Sequence, residues 1–300
     1  MVGGKSYRAY LKKGKFKYLP AFLMPRIKPV NLGILVKESG EVGKIVGVNT
    51  YPIGDLKGSN LDKVLNFLLN EISPNYNKIY FEDFKEFDQV YLDYILEATN
   101  LIMPSGKEIR IFNIPFIIKQ VNEGLNKSIN TSDTMIISQD KDIHFKIILQ
   151  LMDKVSFFTC IGLDPSVCEE VYNEIFKSTG VSIFQPTNIE KVIKNYSIII
   201  NFSEEIEFDL EKIRNQALII DFSKNKPFKV LENSKKNVIL IEDIRLKIHK
   251  FNDWIDEFVS PELFEALGET HSVFSQIYAK NHFYRVGDFI NKGIKKAGKI

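Results

Sequence analysis

The sequence has little of what marks several common protein classes. Its 300 residues include only two cysteines, Cys160 and Cys168, which excludes a disulfide framework and predicts a reducing, cytoplasmic location. No apolar run approaches the roughly 18 residues that a membrane helix needs, so no membrane partner is predicted. The four histidines never form a short-spaced pair, and we therefore predict no metal site.

Charge is nearly balanced overall but uneven along the chain. A net charge of +2 gives no general reason to expect a nucleic-acid partner. From Lys5 to Lys37, however, every charged residue is basic, and aromatic residues lie between the lysines. One interpretation is a docking surface for an anionic partner, such as a phosphorylated carrier, an acidic protein or a nucleic acid. The other is a solvated edge whose aromatic side chains enter the core.

The first part of the chain predicts a small domain of mixed helices and strands. Residues 31–50 have the pattern of two strands around a glycine turn, and helices are predicted over 60–72, 86–98 and 115–127. Pro115 is placed in the first turn of the last helix, where a missing N–H costs nothing. The polar stretch SINTSD (128–133) follows. We therefore predict an N-terminal α+β domain over residues 1–130.

From residue 134 the pattern becomes a regular alternation of strands and helices. β-Branched runs occur at 134–138, 155–161, 181–184, 197–202, 217–222 and 238–241, with helical patterns over 142–153, 165–178 and 188–195. Continuous apolar strands are typical of a parallel sheet covered on both faces. This predicts a doubly wound, mostly parallel α/β domain over residues 131–250. A last helix is predicted to start at Ser260-Pro261, continue to Lys280 and form a C-terminal helical segment (251–300) that packs back on the N-terminal domain.

The segment IGLDPSVCEEVYNEIFKSTGVSIFQPTNIEKVIKNYSIIINFS (161–203) resembles the middle of a Rossmann domain. It is similar to the amino-acid-dehydrogenase-like superfamily, which includes shikimate dehydrogenases, glutamyl-tRNA reductases and long-chain acyl-carrier-protein reductases. The layout is closest to the last type. The resemblance covers about residues 110–245 and implies an NAD- or NADP-dependent reductase ancestry, with TMIIS (134–138) as the first strand.

The glycines that such a domain needs at its phosphate loop are absent. In this register G-x-G-x-x-G falls on Ser138, Asp140 and Ile143, and Asp142 adds a second acid at the same helix start. The alternative register, on Gly162, Pro165 and Cys168, keeps one glycine. No acid ends the second strand to take the ribose hydroxyls. Asp164 lies nearby and could serve, but we favour its interpretation as a helix N-cap.

The catalytic residues that the resemblance implies are matched poorly. Acyl-carrier-protein reductases of this type use a cysteine nucleophile in the first domain, and no cysteine precedes Cys160. Shikimate dehydrogenases use a lysine–aspartate pair near an N-x-T-x-P-x-K pattern. Two segments, GVNTYPIGDLK and FNIPFIIK, match this pattern loosely. They make Lys57, Lys119 and Asp55 the catalytic candidates.

Three hypotheses follow. The first is a degenerate relative of these reductases, acting as a binding, scaffolding or regulatory protein, with no cofactor expected. The second is an active oxidoreductase that binds NAD or NADP at an atypical loop. Its cofactor residues would be Ser138, Gln139, Lys141, Asn201 and Ser203. The third is an adaptor that binds anionic partners through the basic N-terminus. The sequence leaves a homodimer open.

Overall fold

The chain divides into two compact units. The computed structural model describes residues 2–3, 17–18, 20, 29–37, 40–48, 59–82, 89–126, 132–155, 157–234, 236–249 and 255–294. The first unit comprises Met1–Gly106 with Ile248–Thr270, and the second comprises Lys107–Lys247 with His271–Ile300. The helix that starts at Lys107 thus belongs to the second unit, whereas the sequence placed it in the first domain. Within the described ranges no helix is long and apolar enough to cross a membrane.

The first unit is built on a short sheet and two helices. Strands β1 (Val2–Gly3), β2 (Val30–Lys37) and β3 (Gly40–Gly47) form the sheet, with β3 in the centre and β2 antiparallel to it, as the hairpin pattern predicted. Helices α1 (Ser59–Glu71) and α2 (Gln89–Thr99) also lie in this unit. Their apolar faces share a core with the end of β3, which includes Val46, Leu61, Val64, Leu68, Phe81, Leu92 and Ile95.

The second unit contains a six-stranded parallel sheet, which confirms the predicted fold class. Its strands are β4 (Asp133–Ile137), β5 (Phe157–Ile161), β6 (Ile183–Phe184), β7 (Ile198–Asn201), β8 (Leu218–Asp221) and β9 (Ile239–Ile241). Their spatial order is β6-β5-β4-β7-β8-β9, with every pair parallel. This is the doubly wound order. The strands from β4 to β6 are added on one side of β4 and those from β7 to β9 on the other side, so the strand order reverses between β4 and β7.

Four helices precede or connect these strands: α3 (Lys107–Leu125), α4 (Lys141–Leu151), α5 (Pro165–Thr179) and α6 (Ile189–Val192). Helix α5 ends at Gly180, which has a left-handed φ of 74°. The placement of Pro115 in a first helical turn is wrong, because α3 starts eight residues earlier and contains it. Burial of Ile109, Ile111 and Ile114 offsets the hydrogen bond that an interior proline removes.

The predicted C-terminal helix is wrong beyond its first turns. Helix α7 (Pro261–Ala266) starts where expected, with Ser260 Oγ accepting from Leu263 N, but it is only six residues long. Gln276–Ala279 (β12) and His282–Arg285 (β13) instead form a hairpin, which pairs with β10 (Asp243–Lys247). The turn residues Lys280 and Asn281 both have positive φ, as a two-residue hairpin turn requires. Other short elements include β11 (Phe258–Val259), α8 (Val286–Asp288) and a π-helical turn, Phe289–Ile294.

Candidate functional site

The candidate site lies at the carboxyl ends of β4 and β7, in the second unit. Neighbouring strands β4 and β7 are where the strand order reverses, and open α/β sheets bind ligands in the crevice outside this point. The crevice is bordered by the loops 138–140 after β4 and 202–205 after β7, which we call the switch-point loops. The β4 loop leads directly into α4, so backbone N–H groups at that helix start face the same region.

An aspartate of the protein itself takes the anion position at the start of α4. Asp140 is the N-cap, and its Oδ1 accepts a hydrogen bond from the Asp142 backbone N at 2.9 Å. Its Oδ2 lies 2.8 Å from Lys107 Nζ at the start of α3. The hydrogen bond from Lys107 holds the pKa of Asp140 below its ordinary value, and Asp140 raises the pKa of Lys107. The Asp140 carboxylate therefore already occupies the positive end of the helix, and Lys107 balances the charge of that carboxylate.

A side-chain hydrogen bond connects the two switch-point loops. Gln139 Nε2 donates to Ser203 Oγ at 2.8 Å, and Ser203 Oγ donates onward to Glu205 O at 3.0 Å. Ser138 Oγ accepts from the Asp140 backbone N at 3.0 Å, and its side chain is buried. A ligand entering between β4 and β7 would have to break the Gln139–Ser203 bond.

Behind the β7 loop, the ends of β7 and β8 are held by a buried polar network. Asn201 Nδ2 donates to Asp221 Oδ1 at 2.8 Å and to Ser203 O at 2.9 Å, while Asn201 Oδ1 accepts from Ser203 N. Asp221 also accepts from the backbone N and Oγ of Ser223. Asn201 and Asp221 are fully buried. These side chains fix the loop conformation, and their donors and acceptors are used inside the protein.

A second ion pair lies at the same edge of the sheet. Arg110 from α3 contacts both carboxylate oxygens of Asp243 at 3.0 Å, and its guanidinium lies 5.9 Å from the Phe222 ring centroid. Burial is the largest single influence and would raise the pKa of Asp243, but the charge and hydrogen bonds of Arg110, together with the Lys226 charge and the Ile244 backbone N–H, lower it on balance. Lys226 donates to the main-chain oxygens of Asp221 and Glu242, and burial lowers its pKa.

Two residues pack tightly under the β4 loop. His144 in α4 is fully buried, and its Nε2 lies 2.9 Å from Ser138 O. Because that oxygen only accepts, Nε2 carries the proton and Nδ1 is left without a hydrogen-bond partner. Burial lowers the pKa of His144 to about 4. Gly162, with φ +95°, lets the end of β5 approach Ser138 so closely that an added Cβ would lie 2.8 Å from Ser138 O.

The structure separates the residues that the sequence nominated. Ser138, Gln139, Asn201 and Ser203 lie together at the switch-point loops. Lys141 points away, with its side chain 57% exposed and its Nζ 3.6 Å from Glu170. Lys119 is exposed in the middle of α3, 3.8 Å from Glu123. Lys57 and Asp55 lie outside the described residues.

Asp164 differs from its predicted role. It occupies the N-cap position of α5, but its side chain makes no capping hydrogen bond; only its main-chain oxygen is used, accepting from Cys168 N at 2.9 Å. The Asp164 side chain is exposed, three residues after the end of β5. The capping interpretation of this side chain is therefore wrong, and the acid in the loop after the second strand does not have that role.

Sequence reasoning missed the cations that complete the site. Lys107 and Arg110 lie 33 and 133 positions from the carboxylates they contact, so no short motif connects the partners. A signal was nevertheless present, because Lys107 and Arg110 are one turn apart at the start of a helix and so share a face. In the described part of the chain no group of three or more metal-ligating side chains occurs.

Comparison with known proteins finds similarity only among solved structures. No family model and no curated protein matches the chain. Dipicolinate synthase A chain from Bacillus subtilis matches at 15% identity and a TM-score of 0.40, over 58% of this chain and 59% of that one. L-Tryptophan dehydrogenase from Nostoc punctiforme matches at 12% identity and a TM-score of 0.37, over 67% and 57%. Quinate dehydrogenase from Corynebacterium glutamicum, in complex with NAD, matches at 11% identity and a TM-score of 0.35, over 80% and 85%.

These three matches are too distant to support a conclusion about this chain. The chain spans less than two thirds of the first two of these proteins. At such identities and scores the similarity assigns neither an activity nor a cofactor. The strand order of the second unit, read directly from its hydrogen bonds, establishes its Rossmann-like fold.

Proposed function

We propose that this chain is a degenerate relative of NAD(P)-dependent reductases that acts as a binding, scaffolding or regulatory protein and lacks ordinary dinucleotide binding. One observation carries the proposal: the Asp140 carboxylate holds the Asp142 N–H and pairs with Lys107, where a dinucleotide fold places its diphosphate. The Gln139–Ser203 hydrogen bond across the switch-point loops supports it. The residues present therefore do not fit the phosphates of a dinucleotide.

The expected loss of affinity can be bounded. To admit a diphosphate, Asp140 would have to leave the helix end, which costs about 1 kcal/mol of capping. Separation from Lys107 would cost up to about 1 kcal/mol more, as for a surface ion pair. Repulsion between a nearby carboxylate and the phosphates adds about 1–4 kcal/mol. Together these terms amount to about 2–6 kcal/mol against the roughly 8 kcal/mol of micromolar binding, and would raise the dissociation constant at least about thirtyfold.

Isothermal titration calorimetry with NADH and NADPH tests the proposal. The wild-type protein is expected to give no saturable heat in the micromolar range. Asp140→Gly frees the helix N–H groups, and binding that appears only in this variant would identify the carboxylate as the obstacle. Absence of binding in both proteins would leave the missing glycines as sufficient cause. Micromolar binding by the wild type contradicts the proposal.

An active oxidoreductase is the second candidate, and Asp164 favours it. Dinucleotide-binding domains use an acid at the end of the second strand to bind the ribose hydroxyls, and Asp164, three residues beyond the end of β5, is exposed without a capping role. The test is oxidation of NADH or NADPH with keto acids and acyl thioesters as acceptors. This candidate expects turnover whose KM for the cofactor rises in Asp164→Ala and not in Asp153→Ala, an exposed control. Lack of turnover with all acceptors counts against it.

The adaptor hypothesis stays a proposal from the sequence. Most of the basic stretch from Lys5 to Lys37 lies outside the described residues, and the hypothesis rests on its charge pattern. Binding to an acidic carrier protein should weaken steeply as ionic strength rises, because exposed charges are screened over about 10 Å at 0.1 M salt. An affinity that does not change with ionic strength would exclude a docking surface that acts through charge. A homodimer likewise remains a prediction.

A further inference from the structure

The hairpin of the second unit and its neighbour β10 present one buried face and one partly exposed face. Strand β12 pairs antiparallel with β10 and with β13, and side chains alternate between the two faces along each strand. The buried face includes Ile244, Leu246, Ile277 and Ala279. The residues of the other face, which we call the hairpin face, are half-buried or exposed: Asp243, Arg245, Lys247, Gln276, Tyr278, Phe283 and Arg285.

The strand register arranges the hairpin face in rows. Tyr278 is paired with Phe283, and Gln276 lies between its partners Arg245 and Arg285. Residues paired across antiparallel strands lie close enough for their side chains to interact. An aromatic row therefore lies beside a row that contains two arginines.

Arg245 and the two aromatic rings form one cluster. The ring centroids of Tyr278 and Phe283 are 4.7 Å apart, and the guanidinium carbon of Arg245 lies 3.8 Å from the Phe283 centroid. Phe283 is nevertheless 38% exposed, although it is a large apolar side chain. Exposed aromatic rings and guanidinium planes are the surfaces on which unpaired nucleic-acid bases stack.

The positive charge of the hairpin face is not balanced by acids of the same face. In the described part of the chain, neither Arg245 nor Arg285 forms an ion pair. The one acid of the face, Asp243, is held by both arms of Arg110. The sequence that follows β13 is basic as well, because residues 286–300 contain four lysines and one aspartate. A phosphate backbone carries the negative charge that this face lacks.

The size of the face also fits a short stretch of a single strand. Three strands that lie about 4.8 Å apart make the face about 10 Å wide. A nucleic-acid strand stacked as in a duplex carries one phosphate per ~3.4 Å, so about three phosphates cross this width. The face provides Arg245, Lys247 and Arg285 for them. An acidic protein surface would use these charges without the exposed ring, whereas a single strand uses both.

We propose that the hairpin face binds single-stranded nucleic acid. Bases stack on Phe283 and on the Arg245 guanidinium, and the phosphates contact Arg285 and Lys247. The small net charge of the whole chain does not report such a face, because the charge is concentrated locally. No residue of the switch-point loops takes part, so the site does not depend on whether a dinucleotide binds there.

Fluorescence anisotropy of the full chain with a labelled ten-nucleotide oligothymidine tests the site. Saturable binding is expected at 50 mM salt. Three phosphate contacts predict that the affinity falls about twentyfold when the salt is raised to 200 mM. An oligouridine of the same length distinguishes RNA from DNA, and saturable binding of either strand supports the proposal.

Two variants separate stacking from charge. Phe283→Leu keeps an apolar side chain but removes the ring, so it should weaken binding roughly five- to hundredfold without a change in thermal stability. Phe184→Leu, at another exposed phenylalanine on an edge strand, is the matched control and should bind like the wild type. Arg285→Gln should make the salt dependence shallower by about 0.7 in logarithmic slope. Arg214→Gln, at another exposed arginine, should leave that slope unchanged.

The same assay can overturn the proposal. Absence of saturable binding to both oligonucleotides would do so. Binding that Phe283→Leu does not weaken would also contradict it, because the ring would then take no part. A labelled decaglutamate peptide that binds as tightly as the oligothymidine would assign the face to an acidic protein partner instead.

Discussion

His144 should make the stability of the second unit depend on pH. The imidazole is fully buried against Ser138 O, and its Nδ1 has no hydrogen-bond partner. A proton added at Nδ1 would therefore have no acceptor. Burial of the ring lowers the pKa of His144 from 6.5 to about 4. In the unfolded chain the same histidine titrates near its ordinary value. The two states therefore bind protons differently over this range of pH.

The sign and size of the effect follow from this difference. As pH falls below 6.5, the unfolded chain takes up a proton, while the folded protein does so only near pH 4, so the free energy of unfolding decreases across that window. At ~1.4 kcal/mol per pKa unit, the loss reaches about 3 kcal/mol near pH 4. Between pH 7.5 and pH 5 it amounts to about 2 kcal/mol.

Urea unfolding followed by circular dichroism at pH 7.5, 6 and 5 measures this loss. His144→Gln is the control, because glutamine has an N–H donor for Ser138 O and does not titrate. The wild type should lose about 2 kcal/mol more than His144→Gln over this range. Parallel losses in the two proteins, or an NMR titration of His144 centred near 6.5, would refute the reasoning.

Three further predictions concern the switch-point region, each measured as the free energy of unfolding. Gly162→Ala should destabilise the protein by about 1–3 kcal/mol, because Gly162 has a φ of +95° and an added Cβ would lie 2.8 Å from Ser138 O. Gly43→Ala is the control, because its Cβ would meet only Leu35 at an ordinary 3.5 Å. Equal losses of stability in the two variants would contradict the account of Gly162. Arg110→Met should cost about 3 kcal/mol by leaving Asp243 without its partner, and a loss below about 0.5 kcal/mol would show that the pair is only a surface contact. Asp140→Ala should cost about 1 kcal/mol and Asp140→Asn less, since asparagine can still cap α4; equal losses would assign the effect to charge rather than capping.

The parts of the fold that were predictable depend on local chemistry. Buried parallel strands such as Ile198–Asn201 are continuous β-branched runs, and the start of α5 is marked by Asp164-Pro165 before Gly180 ends it. Each signal is contained within a few residues. The strand positions and their alternation with helices were therefore readable before any contact was known.

The errors occurred where tertiary packing overrides local preference. A proline at the first helical position is favourable, so the sequence predicts a helix start at Pro115, but burial of the preceding isoleucines lets α3 begin at Lys107. The segment after Ala266 has helix-forming residues, yet Gln276–Ala279 is held in an antiparallel ladder with both of its neighbours. In each case the deciding partner is distant in sequence.

The candidate site was predictable in position and not in its contacts. The resemblance and the strand pattern placed Ser138, Asn201 and Ser203 at the strand ends, and the acids after β4 were evident from the sequence. That Lys107 neutralises Asp140, and that Gln139 bonds to Ser203, required the packing of α3 and the adjacency of β4 and β7.

A crystal structure of the protein grown with excess NADPH tests the central claim most directly. The predicted result is that Asp140 still accepts from the Asp142 amide and pairs with Lys107, with no dinucleotide between the switch-point loops. A diphosphate seated on the N–H groups at the start of α4, with Asp140 displaced and the Gln139–Ser203 bond broken, would contradict the claim and make the oxidoreductase the leading candidate.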